Sequence, residues 1–261
     1  MMRLFVKKIA GGLAILLIAL TTMSWKAPAA APAKEETGFF SLYGLSFGWG
    51  MDRHMLLYDS LHLDLKGLSE KAFTYALDGL EELKAEGTVQ NDSIITIVDF
   101  DQPSTSKRMY ILDVKNYRVL FNTWAAHGRN SGALMATSFS NRMSSNKSSL
   151  GFYLTDAPYY GGNGYSLKLK GMESGINDRA MQRAIVLHGA RYVSQASIDE
   201  LGYLGRSFGC PAVPVELTRP IIDAIKEGSV LFIYNSSYQP SLNYLLDNPL
   251  RLPLQINNTI S

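Results

Sequence analysis

The sequence has very little cysteine: Cys210 is the only one among 261 residues. A single cysteine excludes an internal disulfide, so the stability of the protein must come from a hydrophobic core. A surplus of one charge is also missing, since 25 basic residues face 23 acidic ones. This balance gives no electrostatic basis for binding nucleic acid, and we expect no nucleic-acid partner. The four histidines form no His-x-x-x-His pair, and there is no Cys-x-x-Cys pair, so we expect no metal and no cofactor.

The N-terminal segment 1–35 contains the long hydrophobic run of the chain, at residues 9–23. Three basic residues precede this run, and an Ala/Pro-rich stretch at 27–33 follows it. The pattern is typical of a signal peptide with a small-residue cleavage site. We therefore expect an exported protein, in the periplasm or associated with the cell envelope. A retained N-terminal membrane anchor is the alternative interpretation.

The rest of the sequence predicts an α+β fold that is mainly β. We expect an N-terminal helical segment at 36–90, a catalytic domain at 91–236 and a C-terminal tail at 237–261. In the helical segment, Glu70 to Glu86 carries apolar residues at three- and four-residue steps. Ser69 precedes this segment as a predicted N-cap, and Gly87 follows as the predicted end.

The segment from Ser93 onward predicts short strands separated by turn-rich loops. The predicted loops are residues 130–149 and 157–164, where Gly, Asn and Ser accumulate. Two short helices are expected, one over Ser197 to Leu201 with Ser197 as its cap, and one over Pro220 to Lys226 with proline in the first turn. The predicted strands are residues 94–100, 109–114, 119–126, 152–155, 165–169, 184–187 and 229–234.

The lone cysteine follows Ser207-Phe208-Gly209, and an apolar run upstream leads into His188-Gly189. A cysteine nucleophile needs a nearby base and an acceptor that orients that base. Because His188 ends the apolar run only 22 residues before Cys210, we predict that it is the base. No acidic residue is equally well placed, so the backbone carbonyl of Gly189 is the predicted orienting group. A core histidine beside a buried cysteine is the alternative.

An acyl-transfer site also needs amide donors for the oxyanion that forms on the attacked carbonyl. We predict the amides of Gly209 and Cys210 for this role, with that of Phe208 as a further candidate. Pro211 has no N–H, which excludes a donor just after the nucleophile. Ser207 either orients the imidazole or binds substrate.

These residues belong to an ordered set of motifs that resembles the YkuD-type L,D-transpeptidases, in particular the murein L,D-transpeptidase catalytic domain proteins. The resemblance covers roughly residues 65–235. The motifs are Ala126-His127-Gly128, Ser148-Ser149-Leu150-Gly151-Phe152, Gly164-Tyr165-Ser166-Leu167, Gly175-Ile176-Asn177-Asp178, His188-Gly189, Ser207-Phe208-Gly209-Cys210 and Pro211-Ala212-Val213-Pro214.

The resemblance implies a β-sandwich-like catalytic domain with few helices and an enzyme of bacterial peptidoglycan. Such enzymes attack the diaminopimelate carbonyl of a stem tetrapeptide, release D-alanine and pass the acyl group to another amine. It implies that Cys210 is the nucleophile, His188 the base and acid, and Gly189 the carbonyl that holds the imidazole. Gly209 and Cys210 would then supply the oxyanion donors.

The chain departs from many family members at Ala212, where an arginine is usual. Any contact of that arginine with substrate carboxylates must come from elsewhere, and Arg191 and Arg206 are the candidates. His127 and Tyr160 are further candidates for contacting substrate, Tyr160 as part of a lid over an extended peptide.

Three alternatives to transpeptidation remain open at this point. Hydrolysis of the same thioester would make the protein an L,D-carboxypeptidase. A catalytically inactive peptidoglycan-binding protein is a second alternative. The third is a zinc peptidase with His127, His188 and Cys210 as ligands. The sequence makes no prediction of the oligomeric state.

Overall fold

The structure, a computed structural model, describes residues 53–240. The predicted leader at 1–35, the start of the predicted helical segment and most of the predicted tail lie outside these residues. Within them, no helix combines the length and apolarity that crossing a membrane requires. The helices are α1 (Arg53–Ser60), α2 (Glu70–Ala85), α3 (Gln195–Leu201) and α4 (Val215–Ile225). The strands are β1 (Ile94–Asp99), β2 (Met109–Asp113), β3 (Arg118–Thr123), β4 (Gly151–Gly161), β5 (Gly164–Gly171), β6 (Val186–Gly189), β7 (Ala212–Val213) and β8 (Val230–Tyr234).

The strands form one eight-stranded mixed sheet in the order β3-β2-β1-β8-β4-β5-β6-β7. Two neighbouring pairs, β1 with β8 and β6 with β7, are parallel, and the other pairs are antiparallel. A bridge between Ala126 and Ala212 joins the chain just after β3 to β7, so the two ends of the sheet meet. The sheet is therefore a near-barrel, and the prediction of a mainly β, α+β fold is confirmed.

The core forms where α2 packs against β1 and β8. Strands β1, β2 and β8 are buried along their whole length, as expected for apolar runs of five or six residues in the middle of a covered sheet. Gly79 in α2 lets the helix approach the sheet, because a Cβ there would lie 2.1 Å from the Phe152 ring. Phe152 in turn stacks on Phe232 with 4.2 Å between ring centroids.

The long helix was well predicted, and the two short ones less well. In α2, Ser69 is the N-cap and accepts a hydrogen bond from the Ala72 amide. The cap of α3 is Ser194 rather than Ser197. Helix α4 begins at Val215, after Pro214, and contains Pro220 in its interior rather than its first turn. Both Pro220 and the preceding turn at Glu216 are exposed, so water can bind the carbonyl that loses its backbone donor.

Each predicted strand run overlaps an observed strand, but the predicted loop at 157–164 is wrong. Strand β4 continues to Gly161, and Tyr160 pairs with Tyr165 across a tight hairpin that closes at Gly161 and Gly164. The glycines that suggested a flexible loop instead form this hairpin end, where Gly164 has a positive φ of 76°. The two-residue strand β7 was not predicted.

Candidate active site

Residues 207–210 form a tight loop that carries the cysteine. The Ser207 amide donates to the His127 carbonyl at 3.0 Å, and the Arg129 amide donates to the Ser207 carbonyl at 2.8 Å. The Ser207 hydroxyl accepts from the Gly209 amide at 3.0 Å and donates to the Cys210 carbonyl at 2.7 Å. Gly209 has a φ of 127°, which a residue with a side chain rarely adopts. Ser207 therefore holds the shape of the loop.

A second serine fixes this loop from behind. The buried Ser148 hydroxyl accepts from the Gly128 amide at 3.0 Å and donates to the Gly209 carbonyl at 3.1 Å. The backbone of residue 128 is thus tied to that of residue 209 through one side chain. Ser148 was not identified as a site residue from the sequence, because its role depends on two backbone groups that are distant along the chain.

The Cys210 thiol is half-buried at the edge of the core. Its sulfur accepts from the Val186 amide at 3.5 Å and lies 3.7 Å from the Ala184 carbonyl. Burial raises the pKa of the Cys210 thiol above its ordinary value of 9.0, and the Val186 N–H and the positive charge of Arg183 oppose this rise. The thiol is therefore mainly protonated at neutral pH.

The His188 imidazole is a second titratable group beside this loop. Its Nδ1 lies 3.0 Å from the Gly189 carbonyl oxygen, and a carbonyl only accepts, so Nδ1 carries the hydrogen and Nε2 has the free lone pair. Burial lowers the pKa of His188 below its ordinary value of 6.5. The imidazole is then neutral at neutral pH. The His188 amide donates to the Pro211 carbonyl at 3.4 Å, which places the two chain segments side by side.

The thiol and the imidazole border the same cavity, of about 280 Å³. No direct hydrogen bond joins the sulfur to the imidazole among the contacts of the described residues, so the expected thiol–imidazole contact is not made in this conformation. The side chains predicted to bind substrate that also line the cavity are Ser207, Arg191 and Arg206.

A second cavity, of about 490 Å³, adjoins the first. The two share Asn163, Gly189, Ala190 and Arg191 as lining residues, and the second ends at Arg219 on α4. Together they form a groove that runs from the thiol along β6 toward the β4–β5 hairpin.

Gly209, one of the two predicted oxyanion donors, has another partner for its amide in this structure. Its amide already donates to the Ser207 hydroxyl, so it is not available to a substrate oxygen in this conformation. Of the two predicted donors, the amide of Cys210 is the one that Ser207 does not engage. The sequence did not reveal this because the turn with Ser207 forms only in the folded loop.

His127 is also placed differently from the prediction, since it is buried and does not line the cavity of the thiol. Its Nδ1 lies 2.7 Å from Nη2 of Arg108, and its Nε2 lies 3.2 Å from the Gly132 carbonyl. Arginine only donates, so Nδ1 accepts and Nε2 donates. Burial and the Arg108 charge lower the pKa of His127 to about 4. In this conformation His127 is a neutral, buried residue with a partner at each ring nitrogen, and it does not face the cavity of the thiol.

The zinc alternative requires His127, His188 and Cys210 to meet at one point. Both ring nitrogens of His127 already have partners, and that ring lies outside the cavity shared by the other two residues. Within residues 53–240, no group of three His, Cys, Asp or Glu side chains is arranged to hold a metal ion. The geometry does not assemble this ligand set.

Tyr160 lies on β4 and not in a mobile loop. Its side chain is 71% exposed, its hydroxyl accepts a hydrogen bond from Arg219, and its ring packs 5.2 Å from that of Tyr165. It is not among the residues that line the cavity of the thiol. Any contact of Tyr160 with a substrate would therefore occur at the far end of the groove, where the hairpin lies.

The fold and the cavity together define a class of protein: a near-barrel β domain that presents one thiol and one neutral imidazole on an open groove. The chain belongs to the L,D-transpeptidase catalytic domain family, whose sequence model matches residues 64–234. Comparison with the curated proteins gives no match.

Solved structures similar to this chain include L,D-transpeptidases at low sequence identity. The L,D-transpeptidase from Mycobacterium smegmatis is 12% identical, with a TM-score of 0.34, over 55% of this chain and 59% of that one. The L,D-transpeptidase from Mycobacterium tuberculosis H37Rv is 12% identical, with a TM-score of 0.34, over 55% and 58%. The helical cell shape determining protein Pgp2 from Campylobacter jejuni is 14% identical, with a TM-score of 0.37, over 59% and 51%. The match thus spans less than two thirds of each of these chains.

Proposed function

We propose that this protein is an exported L,D-transpeptidase that acts on peptidoglycan stem peptides through a thioester on Cys210. The proposal rests on the shared cavity, where an ionisable thiol and an imidazole with a free Nε2 line one open groove. Membership of the L,D-transpeptidase catalytic domain family supports a substrate from peptidoglycan. Export, in this proposal, follows from the leader-like segment 1–35, and action in the periplasm or cell envelope follows from the substrate.

The reaction begins from a neutral pair, because the pKa of the thiol is raised and that of the imidazole is lowered. The thiol turns about χ1 from the Ala184 carbonyl toward Nε2 of His188, a fast side-chain motion in a half-buried site. The proton passes from sulfur to Nε2 as the sulfur attacks the diaminopimelate carbonyl carbon. A C–S bond forms, and the carbonyl oxygen becomes an oxyanion.

Collapse of this intermediate breaks the C–N bond to the terminal D-alanine, whose nitrogen takes the proton from Nε2. An acceptor amine then attacks the thioester and gives a proton to Nε2 of the imidazole. The C–S bond breaks as the new amide forms, and the imidazolium returns the proton to the sulfur, which restores the free thiol. Gly189 assists by accepting from Nδ1–H, which keeps Nε2 as the basic nitrogen throughout.

The oxyanion is stabilised by the Cys210 amide in this proposal. The Gly209 amide contributes only if Ser207 releases it on substrate binding, since the two are hydrogen-bonded in the structure. Arg191 and Arg206 line the cavity and are exposed, so they are the groups placed to meet the carboxylates of a stem peptide.

Two further functions use parts of the same site. Hydrolysis of the thioester by water gives an L,D-carboxypeptidase, and the open groove favours it wherever no acceptor amine is bound. A peptidoglycan-binding protein without turnover would use the groove but not the thiol. The sulfur is half-buried and hydrogen-bonded to the backbone, and this observation favours the last alternative.

Purified protein incubated with a stem tetrapeptide and an acceptor amine separates these functions. Transpeptidation gives released D-alanine and a new amide between donor and acceptor, detected by mass spectrometry of the peptides. A carboxypeptidase gives D-alanine and free tripeptide with no new amide. Binding of the peptide with no D-alanine released, in a folded sample, would overturn the proposed enzyme activity.

A further inference from the structure

The Arg183 guanidinium lies behind the loop that carries the cysteine. Its Nη1 donates to the Ser140 carbonyl at 2.7 Å and to the Ser149 hydroxyl at 2.6 Å. Its Nη2 donates to the Lys147 carbonyl and to the Ser145 hydroxyl. All four acceptors are neutral, and within residues 53–240 no carboxylate lies at ion-pair distance from this guanidinium. The positive charge is therefore not neutralised by an acidic neighbour.

The guanidinium approaches the nucleophile closely. A Cβ on Gly209, the residue just before the cysteine, would lie 3.1 Å from Nη2 of Arg183. Val186, three residues after Arg183, donates its amide to the sulfur of Cys210 at 3.5 Å. One short segment, residues 183–186, thus holds an N–H against the sulfur and a cation beside the loop that carries it.

We propose that Arg183 stabilises the thiolate of Cys210 and so prepares the nucleophile for acyl transfer, with the Val186 N–H as its partner. This inference rests on the proposed function. When the S–H proton moves to Nε2 of His188, the negative charge left on sulfur faces a half-buried cation and an amide donor. A charge in a half-buried position is screened less by water and salt than an exposed one.

The electrostatics of the pair agree with this geometry. The Arg183 charge lowers the pKa of the Cys210 thiol and so opposes the larger effect of burial. Burial lowers the pKa of Arg183, and a thiolate at Cys210 opposes that change. Other titratable or charged groups also face the sulfur or its cavity. They are His188, Arg191, Tyr192 and Arg206.

These other groups do not replace Arg183. The lowered pKa of His188 keeps the imidazole neutral before proton transfer, and burial raises the pKa of Tyr192 to about 12, so the phenol stays neutral. Arg191 and Arg206 are exposed to solvent, and Arg206 donates to backbone carbonyls and stacks on the Tyr203 ring.

The test measures the pKa of the thiol from the rate of alkylation by iodoacetamide as a function of pH, which needs no peptidoglycan substrate. Wild type is compared with Arg183→Gln, Arg183→Lys and the control Arg179→Gln. Arg179 is an exposed arginine on the same segment. Arg183→Gln should raise the thiol pKa by about one unit, which slows alkylation at neutral pH about tenfold. Arg183→Lys should restore most of the loss, and Arg179→Gln should match wild type.

A purely structural role for Arg183 predicts a different result. In that case Arg183→Gln would lower the melting temperature but leave the thiol pKa of the folded protein unchanged, which would overturn the inference. If Arg183→Gln does not fold, Arg183→citrulline keeps the planar shape and one of the two terminal amino groups while removing the charge, and the same pKa shift is expected. A failure to transfer acyl groups in all variants, with the shift present, would contradict the proposed function and leave the thiolate role standing.

Discussion

Replacing Ser148 with alanine removes the hydroxyl that joins the two backbone segments behind the cysteine. The hydroxyl accepts from the Gly128 amide and donates to the Gly209 carbonyl, at 3.0 Å and 3.1 Å. Ser148 is 1% exposed, and both glycines are buried, so water does not readily replace the lost partner. The variant therefore leaves one N–H and one C=O buried without this partner.

The size of the effect follows from those two groups. A buried polar group left unsatisfied costs about 1–3 kcal/mol, so two of them cost about 3 kcal/mol, allowing for partial relaxation of the loop. In a domain of this size, that loss lowers the melting temperature by roughly 6–12 °C. The loop also loses a constraint on the position of Cys210, so acylation by a thiol-reactive substrate should slow as well.

Thermal unfolding followed by circular dichroism measures the first effect, and acylation well below the melting temperature measures the second. Ser174→Ala is the matched control, because Ser174 is exposed and should change stability by less than about 0.5 kcal/mol. If Ser148→Ala unfolded at the same temperature as Ser174→Ala, the two hydrogen bonds of the Ser148 hydroxyl would contribute nothing to the free energy of unfolding. The reasoning about the loop would then be refuted.

The pH dependence of acylation should reflect the neutral pair, because the pKa of His188 lies below 6.5 and that of the Cys210 thiol above 9.0. Rates should rise from acid toward neutral pH as the imidazole loses its proton, and rise again above pH 9 as the thiol ionises; a bell-shaped profile that falls at alkaline pH, as an imidazolium loses its proton, would indicate a preformed ion pair. His188→Ala should slow acylation on the order of 100-fold or more, since it removes the base. His127→Ala should instead lower the melting temperature through the lost contact with Arg108 and affect acylation of the folded protein less; the reverse order would exchange the two roles.

The strands and the long helix were predictable from the sequence because their signals are local. Apolar runs bounded by turn residues gave the buried strands β1, β2 and β8, and the three- and four-residue spacing gave α2 with its cap at Ser69. The hairpin at residues 161–164 was not predicted, because a group of glycines is typical both of a flexible loop and of a hairpin end. Only the pairing of β4 with β5 distinguishes the two. The start of α4 was predicted at Pro220, because proline is common in the first turn of a helix. The helix in fact begins five residues earlier, at Val215.

The thiol and the imidazole that line the cavity were easy to single out from the sequence because cysteine and histidine are rare in it. A single cysteine and a histidine at a strand end left few choices, and the adjacent Gly189 carbonyl lies where the prediction expected the acceptor of His188. The environment of the sulfur was not predictable. It depends on Val186 and Arg183. Arg183 lies 27 residues before the cysteine, where the sequence alone indicates an ordinary exposed arginine, and only the fold shows that it lies behind the loop.

The roles of Ser207 and His127 show the same limit. Both stand in motifs that favour function, yet the hydroxyl of one closes a backbone turn and the ring of the other is buried between Arg108 and Gly132. Hydrogen bonds to backbone groups decide these cases, and the sequence does not contain the positions of those groups. Distinguishing a functional histidine from a structural one required knowing that both of its nitrogens have partners.

The measurement that tests the central claim most directly is intact-protein mass spectrometry after brief exposure to a stem tetrapeptide. The account predicts a mass increase equal to the acyl tripeptide, located on Cys210 by peptide mapping, with one D-alanine released for each adduct. The increase should be absent in Cys210→Ser. An unmodified Cys210 in folded wild-type protein that still reacts with iodoacetamide would contradict the claim.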